Sequence, residues 1–204
     1  EMSAPPKLDH ITMSEAAAGV TLLTVDRPPV NALGRVLVEE LNAACAHFES
    51  LRGESAPRVV IIAAAGKCFS AGADLKERQT MSADDVKAWV PWLSSTFTRI
   101  ASLPMPTIAV VGGVAAGGGM ELALAADMRI AETQAMLGLR ETALAIIPGA
   151  GGTQRLARLI GPARAKRWIF TAKMHTAAQA AADGAVDQVV ATGQGVQTAL
   201  AMAL

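Results

Sequence analysis

Residues 107–126 run from Thr107-Ile108-Ala109-Val110-Val111 through Gly112-Gly113 and Gly117-Gly118-Gly119 to Met120-Glu121-Leu122-Ala123-Leu124-Ala125-Ala126. The first five residues form a nearly continuous apolar run, the pattern of a parallel strand covered on both faces. The glycines turn the chain, and Met120 to Ala126 reads as a helix of small residues. Strand, glycine turn and helix in that order make one unit of an α/β layer. The order also occurs upstream. Arg58 to Ala63 is a second short apolar run, Ala65-Gly66-Lys67 turns the chain, and the small, glycine-bearing segment Ser70-Ala71-Gly72-Ala73-Asp74-Leu75 follows.

Working outward, His10 to Met13 and Val20 to Val25 read as two strands of a hairpin, with Ala16 to Gly19 as its turn. Between Val36 and Leu51, the residues Leu37, Leu41, Ala44, Cys45, Phe48 and Leu51 recur at helical spacing. Ser82 caps a helix running to Ser102, with acids in its first turn and Pro91 kinking or dividing it. Asp127 to Ala131 reads as a strand. Thr153 to Ile160, Pro162 to Phe170 and Thr176 to Asp183 read as helices, and Asp187 to Val190 as a short strand. The alternation argues for α/β layers around a mainly parallel sheet.

The chain has 204 residues, which favours one main globular unit, and 51% hydrophobic against 18% charged residues excludes disorder. Eighteen basic and eighteen acidic residues balance to a net charge of zero, which argues against a dedicated nucleic-acid binder. Aromatics are 3% and tyrosine is absent, so a base-stacking platform is not expected. Cys45 and Cys68 form no CxxC motif and no disulfide framework. The start, Glu1 to Pro6, reads as neither signal nor transit peptide. The uncharged run from Ser102 to Met120 is broken by Pro104, Pro106 and five glycines, so no membrane span is expected.

The two glycine turns are the first chemically informative feature. Glycine lets backbone approach a ligand closely, and one N–H from each turn would make an oxyanion hole. Tight strand–helix packing would use the same glycines. Neither turn fits GxxxxGK[ST] or a GxGxxG followed by a ribose-binding acid. Glu121, one turn into an apolar helix, is either a first-turn acid facing the helix dipole or a general acid or base with a raised pKa. Glu141 stands ahead of the loop Ile147-Pro148-Gly149-Ala150-Gly151-Gly152, with Arg140 beside it as an ion-pair partner if the acid is an ordinary surface one. His10, His47 and His175 are scattered, with no metal-ligand cluster. Ser70 lacks a GxSxG context. The basic residues between Arg155 and Lys173 read as solvated helix faces.

Phe69 to Lys76, Gly117 to Ala123, and Glu141 with Ile147 to Leu156 together resemble the crotonase superfamily, the enoyl-CoA hydratases and isomerases. The resemblance extends from the first hairpin to Val190. It implies a crotonase-like (ClpP/crotonase) α/β spiral of ββα repeats, with a core over residues 1–190 and the start of a C-terminal helical region over 191–204. Relative to the family pattern, that region is expected to be truncated or missing.

Carried over position by position, the oxyanion hole falls on the N–H groups of Ala73 and Gly118, and the two hydratase glutamates on Glu121 and Glu141. Ala71, Ala73, Asp74, Leu75, Lys76 and Gly118 would bind the coenzyme A moiety. That moiety is part of the thioester substrate, and no separate cofactor or metal is implied. The function implied is hydration of a 2-enoyl-CoA, with text closest to the methylglutaconyl-CoA hydratase branch. An enoyl-CoA isomerase or a non-catalytic acyl-CoA- or RNA-binding protein is the alternative. RNA binding is not carried over, because the Val36–Leu51 helix has no lysine. The resemblance also implies a homotrimer or a dimer of trimers, without membrane association, in the cytoplasm or the mitochondrial matrix. The segment from Arg78 to Ser95, with Met81, Trp89 and Trp92, shapes either the acyl pocket or the helix packing.

Overall fold

A computed structural model describes residues 6–204, so the reading of the N-terminal start lies almost wholly outside the described residues. β1 (Ile11–Ala17) and β2 (Val20–Val25) form the expected antiparallel hairpin. Its turn is only Ala18-Gly19, with Gly19 at φ +73°, because Ala17 already pairs with Val20. In chain order there follow α1 (Arg35–Ser50), β3 (Val59–Ala64), β4 (Cys68–Ser70), α2 (Leu75–Gln79), α3 (Ala83–Ile100), β5 (Thr107–Val111), β6 (Val114–Ala116) and α4 (Gly118–Ala125). The remainder comprises β7 (Met128–Glu132), β8 (Met136–Gly138), a 3-10 turn (Glu141–Leu144), α5 (Gly152–Ile160), α6 (Pro162–Thr171), β9 (His175–Thr176), α7 (Ala177–Asp183), β10 (Gln188–Val190) and α8 (Gly195–Ala203).

The strands form two sheets. The larger has the order β1-β2-β3-β5-β7-β10 and is parallel throughout except for the hairpin. The smaller, β4-β6-β8-β9, is parallel except at β8–β9. A long strand of the first sheet, a short strand of the second and a helical segment recur in β3-β4-α2, β5-β6-α4 and β7-β8 with its 3-10 turn. These are the ββα repeats expected from the resemblance.

Side chains on a strand alternate between faces, and both faces of the large sheet are covered. Val60, Ile62, Ala109, Val111 and Ala131 join the main core with Leu37, Leu41 and Phe48 of α1, Phe97 of α3 and Met120 of α4. Ile61, Ala63, Ile108, Val110 and Ile130 pack on the opposite face, where α8 contributes Val196, Ala199, Leu200 and Ala203. Burial on both sides explains the unbroken apolar runs of β3 and β5.

α3 is one helix through Pro91, so the proline does not divide it; Ser82 caps it, with Asp85 completing a capping box. Of the C-terminal helical region expected to be truncated or missing, helix α8 is present after Val190. Helices α5 to α8 occupy most of 152–203, and α8 supplies the cover on β3, β5 and β7. Among the described residues no helix is long and apolar enough to cross a membrane.

Candidate active site

The turn after β4 is held from below. Ser70 Oγ donates to the Asn31 carbonyl (2.7 Å) and accepts from the Gly72 N–H (3.2 Å). Ser70 thus fixes a turn and is not placed as a nucleophile. Leu33 and Ala73 form an isolated parallel bridge: Leu33 N–H donates to Gly72 O (2.8 Å), and Asp74 N–H to Leu33 O (3.1 Å). In such a bridge the groups flanking Ala73 face Leu33, so the Ala73 N–H points the other way. It has no acceptor among the described residues.

The turn after β6 meets it. Gly117 has φ +52°, a left-handed conformation that suits glycine, and Gly118 opens α4 with one of the N–H groups that a helix start leaves unpaired. A Cβ at Gly72 would lie 2.6 Å from the Ala116 carbonyl and 3.2 Å from the Gly118 nitrogen. A Cβ at Gly118 would lie 3.7 Å from the Ala73 nitrogen. The two turns therefore touch through glycine backbone, which brings the Ala73 and Gly118 N–H groups together.

Glu121 lies on α4 and is 2% exposed. Its Oε1 accepts hydrogen bonds from the N–H groups of Ala150 and Gly152, both at 2.8 Å. Burial pushes its carboxyl up to about 7. The Gly152 N–H opposes the rise, Glu141 adds to it, and the Ala150 N–H and Arg155 oppose it. Arg155 is anchored beside this loop, donating to the Ala150 carbonyl at 2.9 Å.

Glu141 begins the 3-10 turn after β8 and is buried. Burial raises its pKa above the usual carboxylate value, against the backbone N–H groups of Glu141 and Arg140. Its Oε2 is buried with no hydrogen-bond partner among the described residues. Its Oε1 packs against bare backbone, since a Cβ at Gly117 would come within 2.8 Å of it. The two acids are thus unequal: Glu121 Oε1 is held by the Ala150 and Gly152 N–H groups, while Glu141 Oε2 has no hydrogen-bond partner among the described residues. Neither is an ordinary surface acid.

Ala73, Gly118, Glu121 and Glu141 line one cleft of about 520 Å³. Arg78, Trp89, Val90, Leu93, Ile146, Ile147, Gly149 and Ala150 complete its wall. Trp89 reaches the cleft from the segment expected to shape it, whereas Met81 and Trp92 pack on the core. Of the residues expected to contact coenzyme A, Ala73 and Gly118 lie in the cleft, and Ala71, Asp74, Leu75 and Lys76 do not line it. Asp74 caps α2 through the Lys76 and Glu77 N–H groups and pairs with Arg27 at 2.9 Å. Ala71, Leu75 and Lys76 are exposed along the outside of the same turn.

The donors that hold Glu121 escape a reading of the sequence alone, whereas Arg78 opens the segment expected to shape the acyl pocket or the helix packing and lines the cleft. The signal for the donors is present, because Gly149 to Gly152 is a glycine-rich turn ahead of a helix, which exposes N–H groups. Among the described residues no three His, Cys, Asp or Glu side chains cluster to hold a metal.

The sequence matches the enoyl-CoA hydratase/isomerase family over residues 15–204. It is 43% identical over 204 residues to Probable enoyl-CoA hydratase 2, mitochondrial, of Arabidopsis thaliana, covering 98% of this chain and 67% of that protein. It is 41% identical over 196 residues to human Methylglutaconyl-CoA hydratase, mitochondrial, covering 95% of this chain and 57% of the relative. The chain spans about three fifths to two thirds of the length of the curated relatives it matches. The crystal structure of enoyl-CoA hydratase from Bacillus anthracis superposes with a TM-score of 0.92 at 43% identity, covering 96% of this chain and 75% of that one. The ββα spiral is thus the crotonase-like fold. The match runs from the first hairpin through the last helix and takes in both glycine turns and both buried acids, and the chain belongs to the enoyl-CoA hydratase/isomerase family.

Proposed function

We propose that this protein adds water across the 2,3-double bond of a 2-enoyl-CoA thioester. The observation that carries the reading is the meeting, in one cleft, of two unengaged backbone N–H groups and two buried carboxylates. The thioester carbonyl oxygen accepts from Ala73 and Gly118. Those donors stabilise the enolate as charge develops, each contributing about 3 kcal/mol if it behaves as other oxyanion-hole donors do. The α4 dipole acts in the same direction at Gly118.

A water bridges Glu121 and Glu141. Glu121, whose Oε1 is held by two N–H donors that favour the charged form, takes a proton as the water oxygen bonds to the β-carbon. Glu141, with no such donor on Oε2, starts protonated and gives its proton to the α-carbon, and the proton taken up by Glu121 then passes through the next bridging water to Glu141, which restores both acids. The balance is one hydroxyl on the β-carbon and one hydrogen on the α-carbon. An isomerase needs only one shuttling carboxylate, so the second acid favours hydration.

The name and 41% identity of the human relative support an acyl group of the methylglutaconyl kind. The exposed turn formed by Ala71, Leu75 and Lys76 with Asp74 is assigned to the coenzyme A path. The core is assigned to residues 1–190 and the opening of a C-terminal helical region to 191–204, in keeping with the last strand ending at Val190. Exposed Leu144, Ile147 and Phe170 suit burial between subunits of a trimer. The mitochondrial names of several relatives support the matrix as compartment.

The test is loss of enoyl-thioester absorbance with crotonyl-CoA for the parent chain, Glu121→Gln and Glu141→Gln. Turnover is expected in the parent, with each variant slower by at least about 100-fold. A parent that binds acyl-CoA without turnover, or variants that keep the parent rate, would remove the two-glutamate hydratase reading.

A further inference from the structure

Arg155 is half-buried on α5, not on the solvated helix face expected from the sequence. Among the described residues it has no ion-pair partner, whereas Arg27, Arg35, Arg99, Arg129 and Arg167 each have a carboxylate within 3.4 Å. Its guanidinium is bound to neutral acceptors instead. Nη1 donates to the Ala150 carbonyl at 2.9 Å, and Nη2 to Thr98 Oγ1 of α3 at 3.2 Å. Arg155 does not line the cleft, so it does not reach the substrate.

What it reaches is the back of the loop that holds Glu121. Ala150 gives its N–H to Glu121 Oε1 and its carbonyl to Arg155. The two residues after it carry no side chain, and each is bare on a side that is occupied. A Cβ at Gly151, at φ +106°, would collide with the Arg155 guanidinium, and a Cβ at Gly152 would lie 3.0 Å from Glu121 Oε1. The loop is thus one layer of backbone with an acid in front and a guanidinium behind. The charges acting on Glu121 are those of Glu141 and Arg155, and those acting on Arg155 are Glu121 and Arg158. A buried carboxylate beside a second acid tends to keep its proton at neutral pH, and a protonated acid is no base for water. Hydrogen-bond donors and a nearby cation oppose that. Arg155 serves both, because it carries the charge and ties down the loop that carries the donors.

We propose that Arg155 is a positioning residue for hydration: from behind the loop it fixes the Ala150 and Gly152 N–H groups on Glu121 Oε1 and supplies a positive charge that keeps this acid available as the base. This rests on the hydratase reading of the site. A purely structural role, tying α5 to α3 through Thr98, would use the same hydrogen bonds but not the charge.

The experiment measures kcat and KM on crotonyl-CoA against pH for the parent, Arg155→Met and Arg155→Lys, each checked for folding by circular dichroism. In Arg155→Met the acid limb of kcat is expected to move up by about one pH unit. Its kcat on the plateau should fall about 10-fold as Glu121 loses its alignment, with KM unchanged. Arg155→Lys keeps the charge and can hold only one of the two anchors, so its limb and its rate should lie between. A limb that stays at the parent's pH in Arg155→Met would reduce the residue to a structural tie and overturn the proposal, as would a loss confined to KM. If Arg155→Met does not fold, Arg155→Lys decides alone, and a parental rate and limb in it overturn the proposal. A parent without turnover would sink the hydratase reading separately. The Glu121 carboxyl titration, followed by NMR of isotope-labelled glutamate and assigned by its loss in Glu121→Gln, then takes the place of the limb. Upward movement of that titration in Arg155→Met supports the role, and an unmoved titration overturns it.

Discussion

In the large sheet every inward and outward position of β3 from Val60 to Ala63 is filled by a buried side chain, and one added or lost methylene alters a packed layer. Beside the small sheet, in the turns and the helix start that flank its strands, the decisive positions are those with no room for a side chain at all. A Cβ at Gly113 would sit on the Lys67 carbonyl, one at Gly119 on the Ser70 carbonyl, and one at Gly72 at 2.6 Å from the Ala116 carbonyl. The first sheet is held by what its side chains bury, and the second by how closely its backbones approach. The unpaired N–H groups of the site lie at the ends of the second. Stability and chemistry are thus assigned to different sheets, and substitutions can separate them.

The largest effect is expected from Gly119→Ala. Its new Cβ would press on Ser70, at 2.8 Å from both the carbonyl carbon and the Cβ, and β4 and α4 must part to admit it. The Gly118 N–H would withdraw from the Ala73 N–H. Denaturant titration should show a loss of about 3 kcal/mol. Hydration should fall about 100-fold, the scale of one lost oxyanion donor. A variant that keeps both stability and rate would break the claim that close backbone approach builds this site.

Next in size is the cost of keeping Glu121 buried. Its folded pKa, about 7, lies above the ordinary value of 4.5, so between these values the folded state binds more protons than the unfolded one. Stability attributable to this group is therefore greatest below pH 4.5, declines as pH rises towards 7, and is flat above. The shift corresponds to a decline of about 3 kcal/mol. Glu121→Gln should flatten that part of the pH–stability curve and be more stable than the parent at pH 8, while losing activity. If the two curves run parallel, the site does not draw on the stability that the large sheet supplies.

The same division explains what the sequence made legible. β3, β5 and the amphipathic α1 are long enough, and buried regularly enough, to show their period in the residues themselves. The strands β4, β6 and β8 have three residues each, and β9 has two. Two or three residues carry no period, and small residues such as Ala115 and Ala116 carry no strand preference, so the second sheet was hidden until tertiary contact paired it. Glu121 and Glu141 were legible as a pair through resemblance alone, because 20 residues of chain separate them and only the fold closes that distance. The role of α8 was hidden for the opposite reason. Val196, Ala199 and Leu200 are ordinary apolar residues, and their place is defined by Ile61, Ile108 and Ile130 beneath them.

The smallest effect is expected from Ile61→Val, in the layer that α8 covers. Ile61 is fully buried against Val20, Ile108 and Ile130 on the face turned away from the main core. Valine keeps the branch at Cβ that suits a strand and removes one methylene, so the cost is the lost transfer energy plus a small cavity, about 1 kcal/mol. For a chain of this length that lowers Tm by about 2–4 °C. The rate of hydration at 25 °C should be unchanged, since no residue of that layer lines the cleft. A loss of activity comparable to that of Gly119→Ala would mean that strain in the outer layer reaches the glycine turns through β3 and β4, and the two sheets would then have to be treated as one mechanical unit.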